Sequence, residues 1–249
     1  MTAVREFFFV IFPYICLASF VLGHFWRYHY DKFGWTSHSS QLYESKTLRW
    51  ASPMWHFGLL MVLLGHVSGL LIPESWTEAL GISESMYHAG ALGLGGIFGV
   101  IMFIGFVGLV ARRLATGSVR ISSLPSDKFM YPLLTIVIVL GLINTLYFQI
   151  FDVYNYRPTI SEWFRSIFYL HPDASLVTGA PWSYQLHAVF AFLLIGIWPY
   201  TRLVHVLSVP IWYLKRPYVV YRSRKPELDA NGRDPRPGWE RPGLEKSRR

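Results

Sequence analysis

The sequence predicts an all-α integral membrane protein: a bundle of five transmembrane helices with the N-terminus outside the cell and the C-terminal tail in the cytoplasm. Hydrophobic residues make up 52% of the 249 residues, only 15% are charged, and the mean hydropathy is +0.30. These values are typical of membrane proteins rather than soluble domains. Five apolar runs reach the length of about 20 residues that a helix needs to cross a bilayer. Lysine and arginine are distributed unevenly between these runs, which predicts the orientation.

The predicted spans are residues 6–26, 53–72, 89–111, 130–150 and 184–208. The first is too long for the hydrophobic part of a signal peptide and ends in bulky aromatic residues, so we expect a retained helix. We expect a five-helix transmembrane domain over residues 1–215 and a basic, Pro-rich cytoplasmic tail over 216–249.

The segments between the spans differ in basic residues. Residues 27–52, residues 112–128 and the chain after Leu214 are rich in Lys and Arg. By contrast, residues 73–88 contain none and residues 151–183 contain only Arg157 and Arg165. Because basic segments are retained in the cytoplasm, residues 73–88 and 151–183 are predicted to lie outside.

Several functional classes are disfavoured. The single cysteine, Cys16, lies within the first span, which excludes disulfides, thiolate metal sites and covalent C-x-x-C-H haem attachment. The net charge of +8 follows from the cytoplasmic segments and does not indicate nucleic-acid binding. The glycines of "GALGLGG" lie in an apolar span, which is typical of helix packing and not of a dinucleotide loop. No carboxylate lies deep in a predicted span, which disfavours a transporter.

Four of the nine histidines lie within the predicted spans, where a polar side chain is costly and usually functional. His56 and His66 are on the second span, and His187 and His205 are on the fifth. The predicted topology pairs His66 with His187 near the outer face and His56 with His205 near the inner face. One imidazole from each of two facing helices, at two depths, is the axial ligand set of two non-covalent, bis-histidine b haems. Hydrogen bonding across the helices is the alternative.

The other five histidines, His24, His29, His38, His88 and His171, are predicted to lie near the membrane interfaces and to contact solvent or lipid headgroups.

Helix geometry places a condition on this arrangement. On straight helices His56 and His66 lie about 15 Å apart, and His187 and His205 about 27 Å apart. The helices must therefore cross or bend, and Pro199 is the predicted kink. Small residues are expected to let a flat macrocycle approach the backbone: Gly58, Gly65, Gly69, Ala188, Ala191 and Gly196. Arg202 is either a propionate partner or a positive-inside anchor.

Five stretches closely resemble the gamma subunit, a cytochrome b, of membrane-bound respiratory nitrate reductases. They are "FFFVIFPYI", "WRYHYDKFGWTSHSSQ", "ASPMWHFGLLMVLLGHVSG", "SYQLHAVF" and "YTRLVHVLSVPIWYLKRPY". The similarity extends to about Tyr218 and contains all four helical histidines. It implies a multi-pass protein of a prokaryotic plasma membrane with two b haems. It further implies that quinol is oxidised near the outer haem and that electrons pass to an iron–sulfur beta subunit and a molybdenum alpha subunit. Those partners reduce nitrate in the cytoplasm.

The resemblance places the quinol beside Gly65 and His66, with its protons released outside. Some family members have a lysine in the outer loop, but "GISESMYH" (81–88) has none, and Tyr87 or His88 is expected to supply the polar contact instead. Two alternatives stay open. One is a related b-type anchor of another reductase, acting on sulfur compounds or heterodisulfides. The other is a membrane anchor with structural haem and no quinol turnover.

Overall fold

The computed structural model describes residues 2–148, 150–151 and 154–208, and within these residues the chain is helical and has no strands. The predicted tail, 216–249, lies outside the described residues, as does the end of the predicted transmembrane domain after Ser208. Four helices are long and apolar enough to cross a membrane, and a bent pair of helical segments makes a fifth if it is counted as one span. This confirms an all-helical protein with four to five spans.

The four continuous helices are α1 (Ala3–Tyr30), α2 (Lys46–Leu71), α3 (Glu84–Ala115) and α4 (Asp127–Tyr147). Each begins before the predicted apolar run. Helices α1 and α3 also extend past its end, whereas α2 ends one residue and α4 three residues before it. The start of α3 shows why, because the Ser83 hydroxyl accepts a hydrogen bond from the backbone N–H of Met86 at 3.3 Å and caps the helix. Three of the helices contain π-helical turns, at Phe7–Ile11, Val67–Leu71 and Ile143–Tyr147.

The fifth span is not the single helix predicted over 184–208. Helix α5 covers Trp182–Ile197 and is followed by two 3₁₀ segments, Trp198–Tyr200 and Arg202–Ser208. The chain bends by 79° between the parts on either side of Thr201. Pro199 lies at this break, as predicted. Proline has no backbone N–H, so it cannot donate the hydrogen bond that would continue the helix.

The connections contain shorter helical segments. They are Lys32–Gly34, Glu74–Ala79, Gly117–Ile121, Arg157–Ser161, Glu162–Phe168 and Ser175–Thr178. The segment Glu162–Phe168 packs into the bundle through Trp163, whose indole N–H donates to the carbonyl of Phe9 at 2.8 Å. This contact ties the connection between α4 and α5 to the start of α1.

Helices α2 and α3 pack with their backbones in close approach. A Cβ on Gly105 of α3 would lie 2.4 Å from the Trp55 nitrogen, and one on Gly58 of α2 would lie 2.7 Å from the Met102 nitrogen. Helix α5 packs against α1 and α4. Glycine contacts of this kind stabilise helix pairs in membranes by allowing closer van der Waals packing.

Candidate functional site

The inner histidine pair joins α2 to the segment after the break. His56 of α2 faces His205 of Arg202–Ser208, with ring centres 6.2 Å apart and ring planes at 75°. His56 Nδ1 lies 2.7 Å from the carbonyl of Ser52, and His205 Nδ1 lies 2.5 Å from that of Arg202. Both rings are therefore oriented by backbone carbonyls within their own segments.

The outer histidine pair joins α2 to α5. His66 and His187 have ring centres 6.1 Å apart and planes at 27°, so the rings are nearly parallel. His66 Nδ1 lies 2.8 Å from the carbonyl of Val62 in its own helix, but His187 Nδ1 lies 3.0 Å from the carbonyl of Val137 in α4. The outer pair therefore depends on three helices.

These separations fit one iron held between two imidazoles. An iron bonded at about 2 Å to a nitrogen of each ring places the ring centres roughly 6 Å apart. When Nδ1 carries the proton and donates it to a carbonyl, the lone pair of Nε2 is free to bind the metal. Among the described residues no group of three or more His, Cys, Asp or Glu could hold a metal ion. A haem needs no such group, because its macrocycle supplies the other four nitrogens.

The break after α5 reconciles the unequal spacings along the two helices. His187 and His205 are 18 positions apart and His56 and His66 only 10. If α5 continued straight, the difference would be about 12 Å at 1.5 Å per residue, and both pairs could not form on antiparallel helices. The 79° bend shortens the separation along the bundle axis. The two histidines of each pair can then face each other.

The expectation about small residues was correct only in part. A Cβ on Gly65 would meet no atom within 4 Å, so this position is open beside His66. Three others are occupied by helix packing: Gly58 by Met102, Gly69 by the hydroxyls of Tyr156 and Tyr87, and Gly196 by Cys16. The residue that the sequence did not indicate is Gly141 of α4, where a Cβ would lie 3.1 Å from His187 Cε1. Gly141 therefore makes room for the outer imidazole.

Arg202 has a protein carboxylate as its main partner. Its Nε and Nη2 donate to the two oxygens of Asp127 at 2.7 and 2.6 Å, and Nη1 makes a longer bond of 3.3 Å to the carbonyl of Ser37. Asp127 is buried and also accepts a hydrogen bond from Arg113 at 3.3 Å. The bidentate pair fixes the bent segment to the start of α4, and contact of Nη1 with a propionate stays a prediction.

The histidine predicted to be solvated near the inner end of α1 is buried instead. His24 is 9% exposed, and its ring packs on Phe20 and Trp35. The prediction for His24 was wrong because the connection after α1 folds back over the helix, which hydropathy does not show.

Tyr87 and His88 lie in a polar cluster at the start of α3. The hydroxyls of Tyr87 and Tyr156 are 3.1 Å apart, and both lie against Gly69, three residues after His66. His88 Nε2 is 3.0 Å from a carboxylate oxygen of Glu84. Through Gly69, this cluster contacts α2 one turn from His66.

Arg157 organises the cluster, and the sequence analysis did not indicate its role. It is 3% exposed, donates to Glu84 at 2.9 Å and to Thr77 at 2.8 Å, and lies 4.0 Å from the centre of the Tyr87 ring. Burial, together with the neighbouring Tyr87, raises the pKa of Tyr156, so its hydroxyl keeps its proton. Burial and the nearby Glu84 raise the pKa of Glu74.

Several membrane-spanning helices around two facing histidine pairs define a class of membrane proteins that hold redox cofactors between their helices. The chain belongs to the nitrate reductase gamma subunit family, whose model matches residues 5–224. This confirms the resemblance seen in the sequence and a multi-pass location in the cell membrane.

The relatives agree with this assignment. The chain is 47% identical to the nitrate reductase-like protein NarX of Mycobacterium tuberculosis over 94% of its own length, but it spans only 36% of that protein. It is 45% identical to the nitrate reductase gamma chain of Bacillus subtilis, covering 86% of this chain and 96% of the relative. It is 34% identical to the respiratory nitrate reductase 2 gamma chain of Escherichia coli, covering 88% and 97%.

Proposed function

We propose that this chain is the quinol-oxidising cytochrome b subunit of a respiratory nitrate reductase, with His56 and His205 holding an inner b haem and His66 and His187 an outer one. The observation that carries the proposal is the geometry of the two pairs, with ring centres at 6.2 and 6.1 Å and every Nδ1 close to a carbonyl oxygen. Membership of the gamma subunit family supports nitrate as the final acceptor.

The haems, when bound, supply reversible one-electron chemistry, and the chain's own residues hold them and tune their environment. The four imidazoles would bind the haem irons through Nε2. Their backbone partners fix the ring orientation and raise the basicity of the ligand nitrogen. Arg202 holds His205 in place through Asp127 and is a candidate partner for a propionate.

The quinol is proposed to bind at the outer end, against Gly65 and His66. The open space at Gly65 supports this placement, because a flat ring can approach the helix backbone there. Tyr87 and His88 are the proposed polar contacts. The His88–Glu84 pair supports proton release to the outer side, because it offers proton acceptors at the start of α3, next to the Lys- and Arg-free loop.

The electrons are proposed to leave at the inner end to an iron–sulfur beta subunit, and a molybdenum-containing alpha subunit reduces nitrate in the cytoplasm. Inward delivery of electrons and outward release of protons builds a membrane potential. The chains that co-purify with this one distinguish a nitrate reductase from a related sulfur-compound or heterodisulfide reductase.

The first part of the test is the haem content. Acid–acetone should extract the haem, and the pyridine haemochrome assay should give two haems per chain. A single haem or a covalent one contradicts the proposal, because each histidine pair should hold one iron and the chain has no C-x-x-C-H.

The second part is stopped-flow reduction by a quinol analogue, followed in the Soret band. His66→Ala should lose the outer haem, and quinol should then fail to reduce the inner one. His205→Ala should lose the inner haem but keep rapid reduction of the outer haem. His29→Ala is the matched control, since His29 is exposed and also bonds a carbonyl four residues earlier, at 2.8 Å. If His66→Ala reduces its inner haem at the parent rate, the quinol binds elsewhere.

A further inference from the structure

Several backbone carbonyls lie close to the break after α5. Side chains from inside and outside the segment bond them. Ser19 of α1 donates to the carbonyl of Gly196 at 2.8 Å, the Thr201 hydroxyl to that of Trp198 at 2.9 Å, and the Trp198 indole to that of Leu203 at 2.9 Å. Unpaired carbonyls are costly at membrane depth, so a break persists only where such donors exist.

Arg27 of α1 bonds one carbonyl before the break and the carbonyl of the residue at the break. Its Nη1 donates to the carbonyl of Pro199 at 2.5 Å and to that of Thr201 at 3.2 Å. Pro199 belongs to the first 3₁₀ segment, and Thr201 is the extended residue that separates it from the second. One guanidinium nitrogen therefore connects the first 3₁₀ segment to the residue at the bend.

Arg27 is itself held in place on its other side. Its Nη2 donates to the carbonyl of Gly34 at 2.8 Å, and its Nε lies 3.2 Å from a carboxylate oxygen of Asp31. Arg27 as a whole is 9% exposed. One turn earlier, a Cβ on Gly23 would lie 2.8 Å from the ring of Pro199, so this face of α1 is in direct contact with the break.

We propose that Arg27 is a positioning residue for the inner histidine pair. It holds the 79° bend, and the bend carries His205 to within 6.2 Å of His56. His205 lies only four residues after Thr201, and its ring is oriented by the carbonyl of Arg202, so a rotation at Thr201 moves the imidazole directly. The outer pair lies before the break and does not depend on this contact. The effect on haem binding rests on the proposed function, whereas the effect on the bend does not.

The haem readout compares Arg27→Leu with Arg27→Lys and with Arg120→Leu, a matched loss of an exposed cytoplasmic-side arginine. Low-spin haem signals in electron paramagnetic resonance, with redox titration, distinguish the two haems because their ring planes differ in relative orientation. Arg27→Leu should lose or shift the inner signal and leave the outer signal unchanged. Arg27→Lys should recover part of it, because an ammonium still donates to a carbonyl.

Equal loss of both signals in Arg27→Leu, or no change in the inner signal, overturns the proposal. If Arg27→Lys recovers none of the inner haem signal, hydrogen-bond donation by residue 27 is not what positions the inner pair. The outer signal also serves as the internal control for folding, since it is measured on the same chain.

A second measurement does not depend on haem. In a Cys16→Ser background, which removes the only cysteine, His56→Cys with His205→Cys tests the inner contact, and His66→Cys with His187→Cys tests the outer one. A short bifunctional thiol reagent should cross-link both pairs, and Arg27→Leu should lower the yield of the inner pair alone. An unchanged inner yield overturns the role of Arg27 even if two haems are found. A parent chain without haem overturns the proposed function and leaves the cross-linking result standing.

Discussion

Each histidine of the two pairs must satisfy two nitrogens in an apolar environment, and the backbone satisfies one of them. For His56 and His66 the carbonyl belongs to the residue four positions earlier on α2, so the helix alone sets the ring direction. For His187 the carbonyl is that of Val137 on α4. The orientation of His187 is therefore a property of the contact between two helices and is more sensitive to packing than that of His66.

Gly141 offers the sharpest test of this difference. A Cβ there would lie 3.1 Å from the His187 ring, so Gly141→Val should force the imidazole away from His66. Overpacking of this kind typically costs about 1–3 kcal/mol. We expect a smaller outer haem signal, with a shifted redox potential, and an unchanged inner signal.

Gly93→Val is the control for Gly141→Val, because it also places a branched residue in a helix but a Cβ there meets no atom within 4 Å. Redox titration of both variants measures the effect. An outer haem that behaves as in the parent protein shows that His187 tolerates the added bulk.

The sequence was sufficient to predict which histidines face each other, because the order of the spans makes the second and fifth helices antiparallel. It did not identify their supports. The Arg202–Asp127 pair joins residues 75 positions apart, and Arg27 reaches a carbonyl 172 positions away. Contacts between residues so far apart in the chain leave no repeating pattern in the sequence. The space expected beside Gly58, Gly69 and Gly196 is filled by protein atoms, because a small residue can serve a cofactor or a helix contact equally well.

At the scale of the element, hydropathy located every span but not its ends. The apolar run at 89–111 corresponds to Glu84–Ala115, because a helix continues into the polar interface until caps or turns end it. Pro199 predicted a kink in the fifth span but not its 79° angle, and donors from α1 and the Arg202–Asp127 pair contact the segments on its two sides. A proline indicates where a helix can bend, whereas its neighbours determine how far.

The connection between α1 and α2 is fixed to α3 by one buried arginine. Arg112 contacts the Glu44 carboxylate and the Ser40 hydroxyl through its side-chain nitrogens, and it also bonds the carbonyls of both residues. The backbone N–H of Thr47 donates to Glu44 at 2.7 Å. This network precedes α2 directly and holds the start of the helix that bears His56 and His66.

The network predicts a dependence of stability on pH. The hydrogen bond from Thr47, followed by that from Arg112, holds the pKa of Glu44 below its ordinary value of 4.5. A lowered pKa in the folded state contributes stability that is complete above the ordinary value and is lost as the pH falls through the folded value. Thermal unfolding between about pH 6 and pH 3.5 should therefore show a smaller acid-induced loss of stability for Glu44→Gln than for the parent chain.

Glu162→Gln is the matched control for Glu44→Gln, since Glu162 is also a glutamate but is exposed in the connection between α4 and α5. Its acid response should follow that of the parent chain. Identical curves for Glu44→Gln and the parent contradict a stabilising role for the Glu44 carboxylate.

At the scale of the whole molecule, the two histidine pairs and the basic residues define one direction across the membrane. The pair on α2 and α5 before the break lies toward the segments that are poor in Lys and Arg, and the pair after the break lies toward the basic ones. In the proposed function, electrons would therefore be delivered toward the basic segments. A chain inserted the other way would place the proposed quinol site on the cytoplasmic side and release its protons there.

Reporter fusions test this orientation in the intact cell. Lys and Arg are retained in the cytoplasm, so a reporter after Arg249 and one inserted beside Gly117, in the basic connection after α3, should both be active only as cytoplasmic fusions. A reporter inserted beside Glu78, in the connection without Lys or Arg, should be active only outside. Paired reporters that work on opposite sides of the membrane control for expression at each site. A cytoplasmic Glu78 with an external Arg249 would reverse the two layers and exclude quinol oxidation at the outer face. If Arg249 and Gly117 were on opposite sides, the bent segment after α5 would not complete a fifth span.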